Sequence, residues 1–302
     1  MSDPTFRNYS SEQAKKYAEA RGSYKSKLIE LVLRHHEETG GKFDTLLDVG
    51  CGPGNATRDL ALSFQQAIGV DPGSEMIRTA QDLGGLTMTD QSISYHVASA
   101  ENCASAPGTE NGVDLLTAAM AAHWFSMPEF WAEAAKVVKP GGTVALWTSS
   151  SFFCHPATPN AEEVQKALFR LELGALGPYE LPSNRLSRDM YDNLPMPWDV
   201  EPAVSAFPQA DFVRHEWDRD GVLTNGEDFF FGGGDYTVQE LEEGFDTASM
   251  VTRWREDNPH LVRTDEDCVR VAMREVREAS GLDADGKLRT GSAKVLLFFK
   301  RR

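Results

Sequence analysis

The sequence of 302 residues predicts an α/β protein, a parallel sheet with helices on both faces and a helical, partly irregular cap. Three observations predict it. Short apolar runs alternate with amphipathic helical patterns from Thr45 to Thr148. A glycine-rich turn follows the first of those runs and opens a helix. After Ser149 the alternation stops, and only the apolar run Ala293–Lys300 at the end reads as a further strand.

The elements follow in order. Ala14, Tyr17, Ala18, Leu28, Ile29, Leu31, Val32 and Leu33 fall at helical spacing, with a break at Gly22-Ser23 and a stop at Gly40-Gly41. Thr45–Val49 is a buried-strand pattern, and residues 55–65 read as the helix after it. Residues 67–71 form a second strand, and Ser74 can cap a helix running to Leu83. Strands are predicted at 93–97, 113–118 and 142–148, with a helix at 128–138. Residues 151–260 hold nine of the 15 prolines and many aromatics, which a regular alternation would not tolerate. Helices at 238–258 and 265–280 complete the reading. Four regions result: a helical N-terminal segment 1–40, a core 41–150, an insertion 151–290 with room for one core strand, and a returning strand 291–302.

Composition narrows the function classes. There are 46 acidic against 30 basic residues, a formal net charge of -16. Residues 1–150 alone carry 18 acids and 12 bases, so neither half is basic and an electrostatic nucleic-acid footprint is missing. The run Val295–Phe299 is far too short for a membrane span. Met1–Ser10 lacks an apolar signal segment, and Lys300-Arg301-Arg302 is no lipidation box, so a cytoplasmic protein is expected. Cys51, Cys103, Cys154 and Cys268 lie more than 50 residues apart, a spacing that fits no metal or redox pair. No metal is expected, and nothing specifies an oligomeric state.

The most informative stretch is Leu46-Leu47-Asp48-Val49-Gly50-Cys51-Gly52-Pro53-Gly54. A dinucleotide fingerprint needs a glycine at position 55, which is Asn, and a phosphate-binding P-loop needs a lysine that does not follow. What remains is D-x-G-x-G-x-G. A carboxylate beside a glycine turn disfavours pyrophosphate and suits a cationic ligand bearing an amino acid, such as S-adenosylmethionine with its sulfonium and ammonium groups. Asp71, 21 residues after Gly50, ends the second strand where ribose hydroxyls could be held. The plainer alternative is a tight turn with a solvent-facing Asp71. Ser99-Ala100-Glu101 follows the third strand, where an adenine edge would lie, and Lys139-Pro140-Gly141-Gly142 turns sharply into the fifth.

These residues resemble the class I S-adenosylmethionine-dependent methyltransferases over Thr45–Thr148. The resemblance implies a Rossmann-like, seven-stranded methyltransferase sheet, with Val295–Phe299 as its inserted antiparallel strand. Tyr17-x-x-x-Arg21, Ala122-His123-Trp124-Phe125 and Gly177-Pro178-Tyr179 further resemble the fungal trans-aconitate methyltransferase-like group. Carried over, Asp48, Gly50, Cys51, Gly52 and Gly54 would line the methionine end, with Cys51 a wall residue and no nucleophile. Asp71 and the adjoining Pro72 would hold the ribose, Ala100 and Glu101 would border the base, and Ala119 and Met120 would flank the methionine. Met76 would pack near the adenine or belong to the core. Tyr17 and Arg21 would close over the cofactor as a lid.

His123 is the candidate base or substrate contact. Trp124, Tyr179, Arg185, Arg188 and Trp254 are candidate contacts to a small-molecule substrate, with no nucleic-acid or membrane partner expected. The implied reaction is O-methylation of a carboxylic acid or of a fungal secondary metabolite. N- or S-methylation, a non-catalytic S-adenosylmethionine-binding regulator and a nicotinamide-dependent oxidoreductase are the alternatives. One feature departs from the aconitate group. Residues 199–246 contain 13 Asp or Glu and only Arg214 and Arg219 as cations, a poor setting for a small polyanion.

Overall fold

A computed structural model describes residues 10, 12, 14, 15, 18, 24, 26–283 and 285–302. Helix α1 (Ser26–Glu38) precedes β1 (Thr45–Val49), α2 (Asn55–Ala61), β2 (Gln66–Asp71), α3 (Ser74–Leu83) and β3 (Ser94–Val97). Then come β4 (Val113–Ala119), α4 (Met127–Val137) and β5 (Val138–Cys154). Helices α5 (Ala161–Phe169) and α6 (Pro182–Arg188) lead to β6 (Val213–Trp217) and β7 (Gly234–Thr237). Helices α7 (Val238–Phe245), α8 (Ser249–Asp257) and α9 (Cys268–Ser280) precede β8 (Lys287–Lys300).

The strand order is β3-β2-β1-β4-β5-β8-β6, with β7 paired to β8. Pairings β1–β2, β1–β4, β2–β3 and β4–β5 are all parallel. The chain therefore steps outward from β1 to β3 on one side and returns to β4 on the other. In such sheets ligands bind at the carboxyl ends of the strands where the order reverses, here between β1 and β4.

Several elements differ from the sequence reading. The sheet has eight strands where seven were expected, because β6 and β7 fall inside the stretch read as irregular cap. Strand β5 is far longer than 142–148, since its pairing continues past the core. Gly141 N–H donates to Arg301 C=O (2.8 Å) and His155 N–H to Arg289 C=O (2.8 Å), a descending register that makes β5 and β8 antiparallel. The helix expected over 238–258 is two, α7 and α8. Thr237 starts the first with a capping box: its hydroxyl accepts from Glu240 N–H (3.2 Å) and its own N–H donates to the Glu240 carboxylate (2.7 Å).

Two compact units emerge. One comprises residues 1–148, 191–215 and 295–302, the other 149–190 and 216–294. The cap read as one block, 151–290, is thus divided, and 191–215 belongs with the core. The reason is aromatic packing. Trp131 Nε1 donates to Pro195 C=O (2.9 Å), and its ring lies 5.6 Å from Phe207 and 4.6 Å from Phe299. The first unit is built on Leu46, Leu47, Leu115, Leu116, Val144 and Leu146, all fully buried. The second unit has its own core of Val164, Leu168, Leu241, Val251, Val269 and Val276. Among the described residues no helix is long and apolar enough to cross a membrane.

Two histidines at the end of α1 are held neutral. The His36 ring bonds Lys42 C=O through Nε2 (2.8 Å) and Thr143 Oγ1 through Nδ1 (2.8 Å). A carbonyl only accepts, so Nε2 carries the proton and Nδ1 accepts from the threonine. His35 stacks on Phe298 at 3.8 Å. Burial, then the neighbouring His215, Lys300 and His36, push its pKa down to about 4. A depressed histidine pKa contributes stability that is complete above the unfolded value near 6.5 and is lost as pH falls toward 4. The urea midpoint should therefore drop between pH 7 and pH 5. His35→Phe, which keeps the stacking, should flatten that drop, and an unchanged slope would remove His35 as its source.

Candidate active site

The turn after β1 needs its glycines. Gly50, Gly52 and Gly54 have φ of 68°, 54° and 82°, a region that side-chain-bearing residues enter at a cost of about 1–2 kcal/mol. Space separates the three. A Cβ on Gly50 would sit 2.6 Å from Ala121 Cβ, and one on Gly54 would sit 2.6 Å from the Tyr95 hydroxyl. A Cβ on Gly52 would meet nothing within 4 Å. Two of the glycines let protein pack closely, while the third leaves an open face.

Strand β2 pins the loop. Gly50 and Cys51 N–H both donate to Val70 C=O, at 2.8 and 3.0 Å. The Asp71 carboxylate accepts from Gly52 N–H (3.0 Å) and, two residues beyond it, from Gly73 N–H (2.8 Å). Asp71 and Pro72 are half-buried at the strand end.

Asp48 lies beneath the loop. It is fully buried, and its oxygens accept from Thr57 Oγ1 (2.6 Å) and Thr117 Oγ1 (2.8 Å). The sequence expectation that it lines the ligand is corrected, because the two threonine hydroxyls take its oxygens and no surface remains. Burial pushes its pKa up to about 6, and the two hydroxyls oppose that shift. Cys51 is buried too, with its thiol raised well above the usual range by burial and then by Asp71 and Asp48, which agrees with a wall residue. Met76 belongs to the buried face of α3 with Ile77 and Ala80, so its core alternative describes its place. Ala100 is buried, and Glu101 Oε1 accepts from Ser126 N–H (2.8 Å) just before α4.

At the end of β4, Ala119 and Met120 are half-buried, and Met120 takes a left-handed φ of 55°. Its N–H donates to Trp147 C=O (2.9 Å), and its Sδ accepts from Thr148 Oγ1 (3.6 Å). His123 follows on a 3-10 turn with Trp124, their rings 4.9 Å apart. His123 Nδ1 lies 3.1 Å from the hydroxyl of Tyr191, a fully buried residue the sequence reading missed. Burial alone holds the His123 pKa down at about 3. Burial thus keeps His123 neutral and makes it a weak base.

The remaining candidates lie in the second unit, except Tyr17 and Arg21, which fall outside the described residues. Arg185 and Arg188 both pair with Glu180, at 3.0 and 3.2 Å. Tyr179 OH accepts from Asn258 Nδ2 (3.3 Å), and its C=O accepts from Arg253 (3.0 Å). Trp254 is 9% exposed, part of that unit's core, and borders a groove of about 280 Å³ with Leu171, Ala175 and Cys268. The expectation that it lines a substrate cavity is replaced by a packing role.

Comparison with known proteins agrees with this geometry. Residues 47–146 match a family model described as a methyltransferase domain. A solved structure of a candidate type II methyltransferase from Anaeromyxobacter dehalogenans superposes with a TM-score of 0.62 at 26% identity, covering 93% of this chain and 97% of that one. The fold is the Rossmann-like methyltransferase fold, and the domain match lies on its residues 47–146. Methyltransferase cfoB of Aspergillus candidus is 29% identical over 285 residues, 84% of each chain. The Saccharomyces cerevisiae protein named probable S-adenosylmethionine-dependent methyltransferase CRG1 is 29% identical, but the match spans only 43% of each chain. The residues present fit S-adenosylmethionine. The open face of Gly52 admits close approach, the Asp71 carboxylate lies against the loop, and Arg58 is engaged by Pro53 C=O (2.7 Å).

The buried carboxylate yields a stability test. Thr117→Val removes one hydroxyl from Asp48, at a cost of about 1.5–3 kcal/mol for a hydrogen bond to a charged group. Because the folded pKa of Asp48 is raised to about 6, the loss should be larger at pH 7 than at pH 5, where the carboxyl is protonated. Urea titrations at the two pH values read the difference, and an equal loss would mean that Asp48 is not ionised at pH 7.

Proposed function

We propose that the protein transfers the methyl group of S-adenosylmethionine to an oxygen of a small, weakly acidic metabolite of the secondary-metabolite type that reaches the site ionised and carries a single negative charge. The observation that carries this over a polycarboxylate substrate is the sharing of Glu180 by Arg185 and Arg188. The two cations best placed in sequence to clamp a carboxylate already face one, and 199–246 is acidic. The similarity to a fungal methyltransferase over 84% of both chains supports methyl transfer.

When bound, S-adenosylmethionine supplies an electrophilic methyl carbon on a sulfonium. The chain supplies the rest. Gly52 gives the methionine end its close approach, Gly50 and Gly54 set the turn that carries it, and Asp71 accepts from the ribose hydroxyls while it braces Gly52 and Gly73. Ala100 and Glu101 border the base, and Ala119 and Met120 flank the methionine. The described N-terminal residues support a lid at 1–40. Asn55 Nδ2 donates to Ala18 C=O (3.4 Å), and Tyr24 N–H donates to the Asp59 carboxylate (2.9 Å), beside the glycine loop. With His123 neutral, acceleration comes from orientation and exclusion of water, which suits an acceptor that needs little deprotonation.

Two measurements test this reading. Gly52→Val meets no protein atom and should lower S-adenosylmethionine affinity by calorimetry at least about tenfold, or 1.4 kcal/mol. Unchanged affinity in the folded variant would move the cofactor elsewhere. Methyl transfer from labelled cofactor to trans-aconitate, phenols, amines and thiols identifies the acceptor atom. Phenols acidic enough to be ionised at neutral pH, their proton already lost to solvent, should be methylated, and replacing both Arg185 and Arg188 by Gln should leave KM for the phenol unchanged. A phenol-inactive enzyme that methylates trans-aconitate, with KM raised by the double change, would sink the proposal.

A further inference from the structure

We infer that Tyr191 is a positioning residue of the methyl-transfer site, holding His123 as the neutral tautomer with its proton on Nε2. This assignment rests on the methyl-transfer reading. Tyr191 follows His123 by 68 residues, yet its oxygen lies 3.1 Å from Nδ1 and is wholly shielded from water. The hydroxyl of Thr148 is a second neighbour of that oxygen. A phenol offers lone pairs and a single proton. Shielded from water, that proton needs an acceptor among its neighbours. Thr148 Oγ1 and His123 Nδ1 compete for it. The imidazole nitrogen is the stronger base, and Thr148 has turned its own proton to Met120 Sδ (3.6 Å). An accepting Nδ1 leaves the one ring proton on Nε2.

The location gives this tautomer a use. The segment that carries His123 closes on the glycine loop: a Cβ on Gly50 would sit 2.6 Å from Ala121 Cβ and 3.3 Å from the Phe125 ring. An imidazole fixed there as an Nε2–H donor orients an acceptor oxygen that arrives already ionised. The backbone is shaped around the contact. Met190 and Tyr191 are consecutive non-glycine residues at φ 53° and 61°, and Met120 across the cluster stands at 55°. Such conformations persist only where the surroundings over-determine them.

NMR of the protein labelled with 15N-histidine reads the tautomer directly at neutral pH. His123 Nδ1 should resonate as an unprotonated nitrogen and Nε2 as a protonated one. Tyr191→Phe removes only the hydroxyl. It should give a mixture of tautomers and lower kcat by about ten- to a hundredfold, the scale of a misplaced group, with KM for S-adenosylmethionine unchanged. His123→Gln, which keeps an N–H near Nε2, should retain more activity than His123→Leu. A protonated Nδ1 in the wild-type protein overturns the inference, as does a Tyr191→Phe protein with both tautomer and kcat unchanged. The wild-type spectrum decides the tautomer even if Tyr191→Phe does not fold. It also needs no acceptor, so the expected spectrum in a protein that methylates no oxygen would sink the O-methylation reading and leave the Tyr191 assignment standing.

Discussion

The buried carboxylate of Asp48 is the constraint on which the rest of the site depends. It sits on β1, accepts from Thr117 on the neighbouring β4 and from Thr57 on the helix that the glycine loop opens. One group thus ties together both strands at the point where the sheet order reverses and the first turn of α2. An ionised carboxylate stripped of water is costly unless its lone pairs are filled, and losing one hydrogen bond to a charged group costs about 1.5–3 kcal/mol. The two hydroxyls are therefore not interchangeable with methyl groups. They fix where β1 ends, and so where Gly50 begins its left-handed turn.

A second carboxylate works at the surface of the same loop. Asp71 spans two turns, one at Gly52 and one at Gly73, so the end of β2 and the glycine loop are held as one rigid piece. Beyond it the cluster of Met120, His123, Thr148 and Tyr191 closes the other side, at the ends of β4 and β5. That side is held by neutral hydrogen bonds in a dry setting, where they are stronger than in water. Charge is placed on the Asp71 side of the loop, and a neutral network on the His123 side.

Much of this was legible in residue types. D-x-G-x-G-x-G with Asp71 at the end of the next strand is local information, because each residue lies on a strand end or on the turn after it. Strand-helix alternation likewise gave β1 to β4 nearly in register with their sequence patterns. The failures share one origin. Asp48 reads as a ligand contact until Thr57 and Thr117, one of them 69 residues away, are seen to fill its oxygens. Arg185 and Arg188 read as a clamp until Glu180 is seen between them. Trp254 reads as a cavity wall until Val251 and Val269 are seen in the same core.

The sequence by itself determined the fold class, the glycine turn and the strand-end acid, because backbone conformation and hydrophobic period are properties of neighbouring residues. The placement of 191–215 against Trp131, the extension of β5 along β8 and the meeting of Tyr191 with His123 were decided only by the tertiary structure. Each depends on side chains brought together across long stretches of chain, where burial and hydrogen-bond partnership set whether a polar group is free to act. Residue type announces what a side chain can do. Its partners in the folded chain decide whether that capacity is left over for a ligand, and here they leave Asp71 at the surface of the loop, consume Asp48 and hold His123 neutral.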